Sequence, residues 1–196
     1  EALAREGALV SVDTTKPGVM GAAIGAGAAI VNDVGALGAP GAIEAIAGSG
    51  VAVCLMHMRG TPATMQSAPE YADVVAEVRG FLEARARACE AAGIARDRIV
   101  VDPGFGFGKT LAHNLDLLAR LDEIAASGYP VLAGLSRKSM LGAITGRPEG
   151  ERMAASVAAA LSAVQRGAAI VRVHDVRETV DALAVWRAAV GQERNR

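Results

Sequence analysis

Six short apolar segments alternate along the chain with longer Ala-rich segments. The apolar segments are predicted strands at residues 8–13, 28–33, 51–57, 98–103, 130–136 and 169–175. The predicted helices lie at residues 17–26, 40–48, 70–92, 113–126, 150–166 and 177–190. Helix boundaries are supported by Pro at helix starts and Gly at helix ends, at Pro17, Pro40, Gly93, Gly128 and Gly167. Strands that are apolar throughout are buried on both faces, so the pattern predicts a parallel sheet covered by helices.

Two architectures fit this alternation. One is an open doubly wound sheet, and the other is a TIM (β/α)8-type barrel of which this chain holds six βα units. The 196 residues suffice for one large domain, and no linker or repeat divides residues 1–196. About half of the residues are apolar (52 %), which is enough for a sizeable core.

The composition argues against two classes of partner. Charges nearly cancel, with 20 Lys plus Arg against 21 Asp plus Glu, and the basic residues form no long tract, so we expect no nucleic-acid partner. The longest uncharged apolar runs, of about 13 residues, are too short to cross a bilayer. Cys54 and Cys89 are interpreted as reduced thiols of a cytoplasmic protein, and Cys54 as a core residue rather than a nucleophile.

Polar residues collect where the predicted strands end. They are Asp13, Asn32, His57, Asp102 and His174, with Ser136 and Lys138 at the end of the fifth strand. Parallel α/β folds build their sites at the carboxyl ends of strands. The sequence therefore predicts that these side chains meet at one mouth of the fold.

The segment "VVDPGFGFGKT" follows the fourth strand. Its three glycines permit positive φ and close approach of a ligand to the backbone. Phe105 and Phe107 offer flat surfaces for an aromatic substrate. The alternative is a turn whose Phe residues plug the barrel edge, and this is the favoured interpretation for Phe105. The GxGxG spacing matches neither a dinucleotide-binding fingerprint nor a P-loop.

Two later segments, "SRKSMLGAITG" and "IVRVHDV", predict an anion site. Ser139 is a candidate cap for a helix whose free N–H groups attract an anion, and Arg137 is interpreted as an exposed salt-bridge partner. Alternation along the sixth strand puts Arg172 and His174 on one face, where they can bind phosphate or carboxylate. Alternation also points Val171 and Val173 the other way, toward the covering helices.

Taken together, the motifs identify a family. "SVDTTKP", "IVNDV", "CLMHMRGTPATMQ", "DPGFGFGK", "LSRKSMLG" and "RVHDV" resemble dihydropteroate synthases, in the same order and over nearly the whole chain. The resemblance implies a (β/α)8 barrel, usually a homodimer. It also implies the condensation of 6-hydroxymethyl-7,8-dihydropterin diphosphate with para-aminobenzoate, which gives 7,8-dihydropteroate and diphosphate in folate biosynthesis.

The resemblance assigns a pterin-binding set. Asp13, Asn32 and Asp102 match residues that hydrogen-bond the pterin, whose amino and ring N–H groups a carboxylate can accept in pairs. Met56 is expected to pack against the pterin ring. Lys138 matches the lysine that lies between the pterin and the aminobenzoate.

The other substrate groups have matches as well. Phe107 and Ser136 match the aminobenzoate pocket, where Ser139 is expected to assist. Arg172 and His174 match the pair that binds the diphosphate. Together with Mg2+, they would stabilise the charge of the leaving diphosphate.

The implied catalytic residues are Asp102, Lys138, Arg172 and His174. The Asp102 carboxylate favours the positive charge that develops on the pterin methylene while the aminobenzoate amine attacks. No covalent enzyme intermediate is implied.

The sequence also departs from the family. The family pattern begins with a segment like "NVTPDSF", which carries a metal-binding Asn, and continues with a second strand and loop. Neither is present in this chain, so the metal ligand is not assigned. We therefore expect the first two βα units to be missing and the six-unit chain alone to be poorly active, with two open sheet edges.

Other functions stay open on the sequence alone. One is a pterin-binding barrel that transfers a methyl group from methyltetrahydrofolate, which has no need of the two anion-binding segments. Another is an inactive synthase-like homologue or fragment that binds ligand without turnover. A more distant possibility is an unrelated open-sheet anion-binding protein.

Overall fold

The computed structural model describes residues 1–60, 65 and 69–193. Its strands are β1 (Ser11–Asp13), β2 (Ile30–Asp33), β3 (Ala52–Met56), β4 (Ile99–Asp102), β5 (Val131–Ala133) and β6 (Ala168–Val171). They form one parallel sheet in the order β1-β2-β3-β4-β5-β6. A doubly wound sheet would reverse its strand order at a switch point. The sequential order therefore excludes the open-sheet alternative and confirms the barrel-type arrangement of six βα units.

The helices are α1 (Ala2–Arg5), α2 (Pro17–Gly25), α3 (Ala42–Ala47), α4 (Val74–Ala91), α5 (Leu111–Ala119), α6 (Leu121–Ala125), α7 (Ser139–Thr145), α8 (Met153–Gln165) and α9 (Val176–Glu193). Two 3-10 turns lie at Arg96–Arg98 and Glu149–Glu151. The helix predicted at 113–126 is two helices, because the backbone of Arg120 leaves the helical region at ψ 28°. No helix in the described part of the chain is both long enough and apolar enough to span a membrane.

Helix starts are fixed by local chemistry. Asp73 caps α4, accepting hydrogen bonds from the N–H groups of Val75 and Ala76 at 2.9 and 3.0 Å. Thr110 caps α5 in a reciprocal pair with His113. These caps satisfy N–H groups that a helix otherwise leaves without partners.

The core lies between the outer face of the sheet and the helices. It includes Val53 and Val101 from the strands and Val78 and Leu82 from α4. Phe105, from the glycine-rich loop after β4, is 1 % exposed and belongs to this core, which agrees with the interpretation that it packs against the fold and not against a substrate.

The other face of the sheet lines an inner cavity of about 510 Å³. Cys54, Val100 and Leu132 contribute side chains from the strands, and Val180 and Leu183 contribute from α9. The Cys54 thiol is buried, which raises its pKa and keeps it uncharged. This agrees with its interpretation as a core residue rather than a nucleophile.

Candidate active site

A second cavity, of about 280 Å³, lies at the carboxyl ends of the strands. Register sets the arrangement of its walls, since Asp13 pairs with Asn32 across β1 and β2, and Met56 pairs with Asp102 across β3 and β4. Its lining includes eight of the predicted site residues, namely Asp13, Asn32, Met56, Phe107, Ser136, Lys138, Arg172 and His174. The structure therefore brings together side chains from β1 to the end of β6, as the strand-end pattern predicted. His57 and Asp102 were expected at the same mouth but do not line the cavity, because His57 contacts Lys109 and Asp102 is buried against Arg172.

Asp102 is buried and held by hydrogen bonds to the glycine-rich loop and to Arg172. It is 1 % exposed, and its carboxylate accepts the Gly104 N–H at 2.8 Å and the Arg172 guanidinium at 3.0 Å. Burial raises the pKa of Asp102, while Arg172, the Gly104 N–H and Lys138 act in the opposite direction. A buried carboxylate with a cationic partner provides strong acceptor oxygens for a ligand with N–H donors.

Arg172 lies over the residues predicted to bind the pterin. One guanidinium nitrogen contacts Asp102, and another donates to the amide oxygen of Asn32 at 3.3 Å. Gly134 makes room for it, because a Cβ there would lie 2.9 Å from the guanidinium. Arg172 is thus held at the junction between the predicted pterin and diphosphate sites.

The predicted orientation of Val171 and Val173 is not confirmed. Val171 lines the inner cavity and Val173 lines the same cavity as Arg172 and His174. The strand predicted at 169–175 ends at Val171, so strict alternation does not extend to Val173.

Ser136 and His174 form a hydrogen-bonded pair. The Ser136 hydroxyl accepts the His174 backbone N–H at 3.2 Å and lies 2.9 Å from the His174 ring nitrogen Nδ1. These contacts join the loop after β5 to the loop after β6. They hold the ring of His174 at the cavity wall.

Lys138 lies over the ring of Phe107, with its Nζ atom 4.2 Å from the ring centroid. Burial lowers the pKa of Lys138, and Asp102 opposes that shift. Arg137, the residue before it, has a left-handed backbone (φ 58°) and donates its N–H to Ser156 at 3.0 Å. Its guanidinium forms an ion pair with Asp175 at 2.6 Å, which confirms its predicted salt-bridge role.

Ser139 does not cap α7. The helix begins at Ser139, Lys138 is the capping position, and no side chain caps the helix. Because Ser139 already belongs to the first turn, its hydroxyl is one residue too late to act as the cap. Ser139 is exposed and does not line the cavity.

The glycine-rich loop takes the predicted conformation, with positive φ at Gly104, Gly106 and Gly108. A Cβ at Gly104 would lie 1.9 Å from the His57 carbonyl oxygen, so only glycine fits there. The "TPATMQ" part of the neighbouring motif covers residues 61–66, and apart from residue 65 it lies outside the described residues.

Sequence reasoning gave no role to Lys109, which lies directly under this loop. Its Nζ atom is 3.0 Å from the carbonyl oxygens of Gly104 and Phe107 and 3.0 Å from Nδ1 of His57. Asn114 accepts the Gly106 N–H, and Tyr71 donates to the Gly108 carbonyl, both at 2.8 Å. The position of Lys109, at the end of a glycine-rich loop after a strand, was the one sequence signal for this role. No sequence signal pointed to Asn114 or Tyr71.

The comparison that decides the family covers most of the chain. The sequence model of the family described as "Pterin binding enzyme" matches residues 1–174. The chain belongs to the pterin binding enzyme family. The predicted resemblance to dihydropteroate synthases is confirmed, because relatives of that name share about half of their residues with this chain.

Dihydropteroate synthase of Escherichia coli (strain K12) is 52 % identical over 188 residues, which are 95 % of this chain and 66 % of that relative. Burkholderia cenocepacia dihydropteroate synthase complexed with 7,8-dihydropteroate has a TM-score of 0.94 and 55 % identity, covering 100 % of this chain and 72 % of that one. Xanthomonas albilineans dihydropteroate synthase with 4-aminobenzoic acid has a TM-score of 0.89 and 55 % identity, covering 96 % and 67 %. The chain spans about two thirds of the length of the curated relatives it matches.

Within the described residues, no group of three or more His, Cys, Asp or Glu side chains is arranged to hold a metal ion. Mg2+ that binds together with a diphosphate is held by one or two carboxylates and by phosphate oxygens, so the Mg2+ that the resemblance implies does not require such a group.

Proposed function

We propose that the protein is a dihydropteroate synthase. It condenses 6-hydroxymethyl-7,8-dihydropterin diphosphate with para-aminobenzoate to give 7,8-dihydropteroate and diphosphate. The observation that carries this proposal is that residues matching three substrate groups line one cavity at the carboxyl ends of the strands. The relatives bound to 7,8-dihydropteroate and to 4-aminobenzoic acid support the substrate assignment.

Pterin recognition falls to the polar residues of β1, β2 and β4. Asn32 and Asp13 line the cavity side by side, and the buried Asp102 carboxylate is joined to it through Arg172, which also contacts Asn32. Each charge-assisted hydrogen bond from the pterin to a carboxylate contributes roughly 1.5–3 kcal/mol. Met56, which lines the same cavity, supplies apolar contact for the ring face.

Aminobenzoate binds on the other side of Lys138. The Phe107 ring and the Ser136 hydroxyl form the walls of the aminobenzoate pocket. The Lys138 ammonium lies 4.2 Å from the Phe107 ring centroid and thus between the two substrates. A cation between an aromatic wall and a carboxylate substrate favours binding of that carboxylate.

In the reaction, the bond between the pterin methylene carbon and a diphosphate oxygen breaks, and its electron pair leaves with the diphosphate. The lone pair of the aminobenzoate nitrogen forms the new C–N bond, and the amine loses a proton to solvent. Arg172 and His174 stabilise the departing charge. Because Arg172 also contacts Asp102, it links pterin recognition to departure of the leaving group.

Three further properties are proposals that rest on the family resemblance. They are the use of Mg2+ to neutralise diphosphate, a homodimeric state and a cytoplasmic location. No step above is routed through Mg2+. Loss of turnover on treatment with EDTA, reversed by added Mg2+, would support the metal requirement.

The test is a synthase assay on the full-length protein, following conversion of labelled para-aminobenzoate to dihydropteroate. The Asp102→Asn variant serves as the control, and we expect turnover in the wild type with a large loss in the variant. Ligand binding without turnover would contradict the proposal in favour of an inactive homologue. Transfer of a methyl group from methyltetrahydrofolate would favour the methyltransferase alternative.

A further inference from the structure

Lys109 is a buried cation held by backbone carbonyls. It is 3 % exposed, and its Nζ atom contacts the carbonyl oxygens of Gly104, Phe107 and His57 and the ring of His57. Among the described residues, no carboxylate forms an ion pair with it. Burying an amino group is costly unless hydrogen bonds replace its contacts with water, and here backbone carbonyls of two loops replace them. These hydrogen bonds therefore constrain the two loops relative to each other.

The contacts of Lys109 join two loops of the site. Gly104 and Phe107 belong to the loop after β4, whereas His57 follows β3. The loops are closely packed, since a Cβ at Gly108 would lie 2.4 Å from the Arg59 carbonyl oxygen. Lys109 lies at this junction and supplies hydrogen-bond donors to both loops.

The protonation states of His57 and Lys109 are compatible with the hydrogen bond between them. Burial lowers the pKa of His57 to about 3, so His57 is neutral near pH 7 and its Nδ1 atom can accept a hydrogen bond. Burial also lowers the pKa of Lys109 to about 7. The nitrogen retains N–H donors in either protonation state.

Phe107 lies within the segment that Lys109 holds. Its carbonyl is one of the Lys109 acceptors, and its ring meets the Lys138 ammonium at 4.2 Å. Asp102 also accepts the Gly104 N–H, but β4 and Arg172 anchor it independently of Lys109. Releasing Lys109 would therefore disturb the wall formed by Phe107 and Lys138 more than it disturbs the pterin acceptors.

We propose that Lys109 is a positioning residue for the second substrate. It fixes the backbone of the glycine-rich loop so that Phe107 and Lys138 form the aminobenzoate wall. This inference rests on the proposed function, because it names a role in binding one of the two substrates of that reaction.

The experiment compares Lys109→Met with the wild type in the full-length protein, by steady-state kinetics. We expect the KM for para-aminobenzoate to rise about tenfold or more, since small displacements of positioning groups cost up to about a hundredfold. The KM for pterin diphosphate should stay within about twofold. Equal rises for both substrates, or no change, would overturn the proposal.

Tyr71→Phe is the matched control. It removes one hydrogen bond to the same loop, at the Gly108 carbonyl, and leaves the Phe107 carbonyl with Lys109. We expect a change in the aminobenzoate KM of less than about threefold, the effect of one modest hydrogen bond. A selective rise as large as that of Lys109→Met would assign the effect to general loosening of the loop and refute a specific role for Lys109.

Hydrogen exchange separates failure of this inference from failure of the proposed function. Amide exchange in residues 104–108 should be faster in Lys109→Met than in the wild type, whether or not the protein turns over. An unchanged exchange rate would overturn the positioning role directly.

If Lys109→Met does not fold, Lys109→Gln, which keeps N–H donors on a shorter side chain, should show the same selectivity between substrates. A protein with no synthase activity but faster loop exchange in the variant would remove the proposed function, and with it the assignment to aminobenzoate.

Discussion

Arg172 lies where the pterin and the diphosphate parts of pterin diphosphate would both contact it. Its guanidinium contacts Asp102 and Asn32, yet the family resemblance assigns it to the diphosphate. We expect Arg172→Ala to weaken binding of pterin diphosphate about 10–100-fold, the loss of one or two charge-assisted hydrogen bonds. Unphosphorylated pterin should lose only a few-fold, because Asp102 and Asn32 remain. Calorimetric titration with both ligands measures the difference, and equal losses would contradict the diphosphate role.

His57 gives a second prediction, on acid stability. Its pKa is about 3 in the folded protein, mainly because of burial, and near 6.5 when unfolded. The unfolded chain therefore binds more protons between these values, so stability falls as pH decreases from about 6.5 toward 3. The loss attributable to His57 should be about 1–3 kcal/mol by pH 4.

The matched variant for this prediction is His57→Asn, whose amide oxygen can take the place of the Nδ1 acceptor for Lys109. Urea denaturation at several pH values measures the free energy of unfolding. The variant should lose less stability on acidification than the wild type. The same pH dependence in both proteins would show that His57 is not the group responsible.

Residues differed in how far sequence could predict them. Asp13, Asn32 and Asp102 were predictable because the carboxyl ends of parallel strands meet at one edge. The contacts of Lys109 were not, because loop geometry rather than strand position directs its side chain. The failed prediction for Ser139 reflects the one-residue precision that a cap requires, which sequence boundaries do not reach.

At the scale of elements, the glycine-rich loop after β4 supports a prediction on stability. Gly104 and Gly93 both have positive φ, at 68° and 89°, but a Cβ at Gly93 would meet nothing within 4 Å. Gly93→Ala should therefore cost only the backbone term, about 1–2 kcal/mol. Gly104→Ala should cost at least about 2 kcal/mol more, because its Cβ would collide with the His57 backbone and not with a yielding side chain.

Denaturant midpoints of the two glycine variants test this directly. If both variants lost the same stability, the close approach of the loop to residue 57 would carry no energetic weight. A larger loss at Gly104 would show that the loop is built against the end of β3. The proposed role of Lys109 depends on that same contact between loops.

Element boundaries show where the sequence pattern was insufficient. Apolar alternation continues past Val171, but β6 ends there and its last backbone contact to β5 is the Arg172 N–H to the Ala133 carbonyl, so the predicted strand was too long. The pattern predicts which positions are apolar and not how far strands pair. The break between α5 and α6 was equally hidden, since Arg120 at the break carries an ion pair to Asp73 on a distant segment, which no local pattern indicates.

At the scale of the whole molecule, sequence alone left the barrel and the doubly wound sheet as alternatives. Both are built from the same alternation of strands and helices, and they differ only in which strands are neighbours. Strand order depends on long-range pairing, which periodicity does not report. Polar residues at every strand end were compatible with both folds, so the decision required the observed order.

The described sheet has two edge strands, β1 and β6, and this arrangement supports a last prediction. Beside β6, the apolar side chains of Ile170, Val176 and Val180 are 39, 60 and 56 % exposed, and they line the inner cavity of about 510 Å³. Unpaired strand edges next to exposed apolar surface favour association. We therefore expect a polypeptide of only these 196 residues to self-associate as its concentration rises.

Light scattering and sedimentation across the micromolar range measure this association. Val180→Lys is the informative variant, because it places a charge on the exposed apolar surface of α9 and should shift the equilibrium toward monomer. Val19→Lys is its control, since Val19 is 44 % exposed on α2 and does not line the inner cavity. Equal effects of the two variants would assign association to general surface hydrophobicity. A wild-type chain that stays monomeric at all concentrations would contradict the prediction that the edges of β1 and β6 and the inner cavity drive self-association.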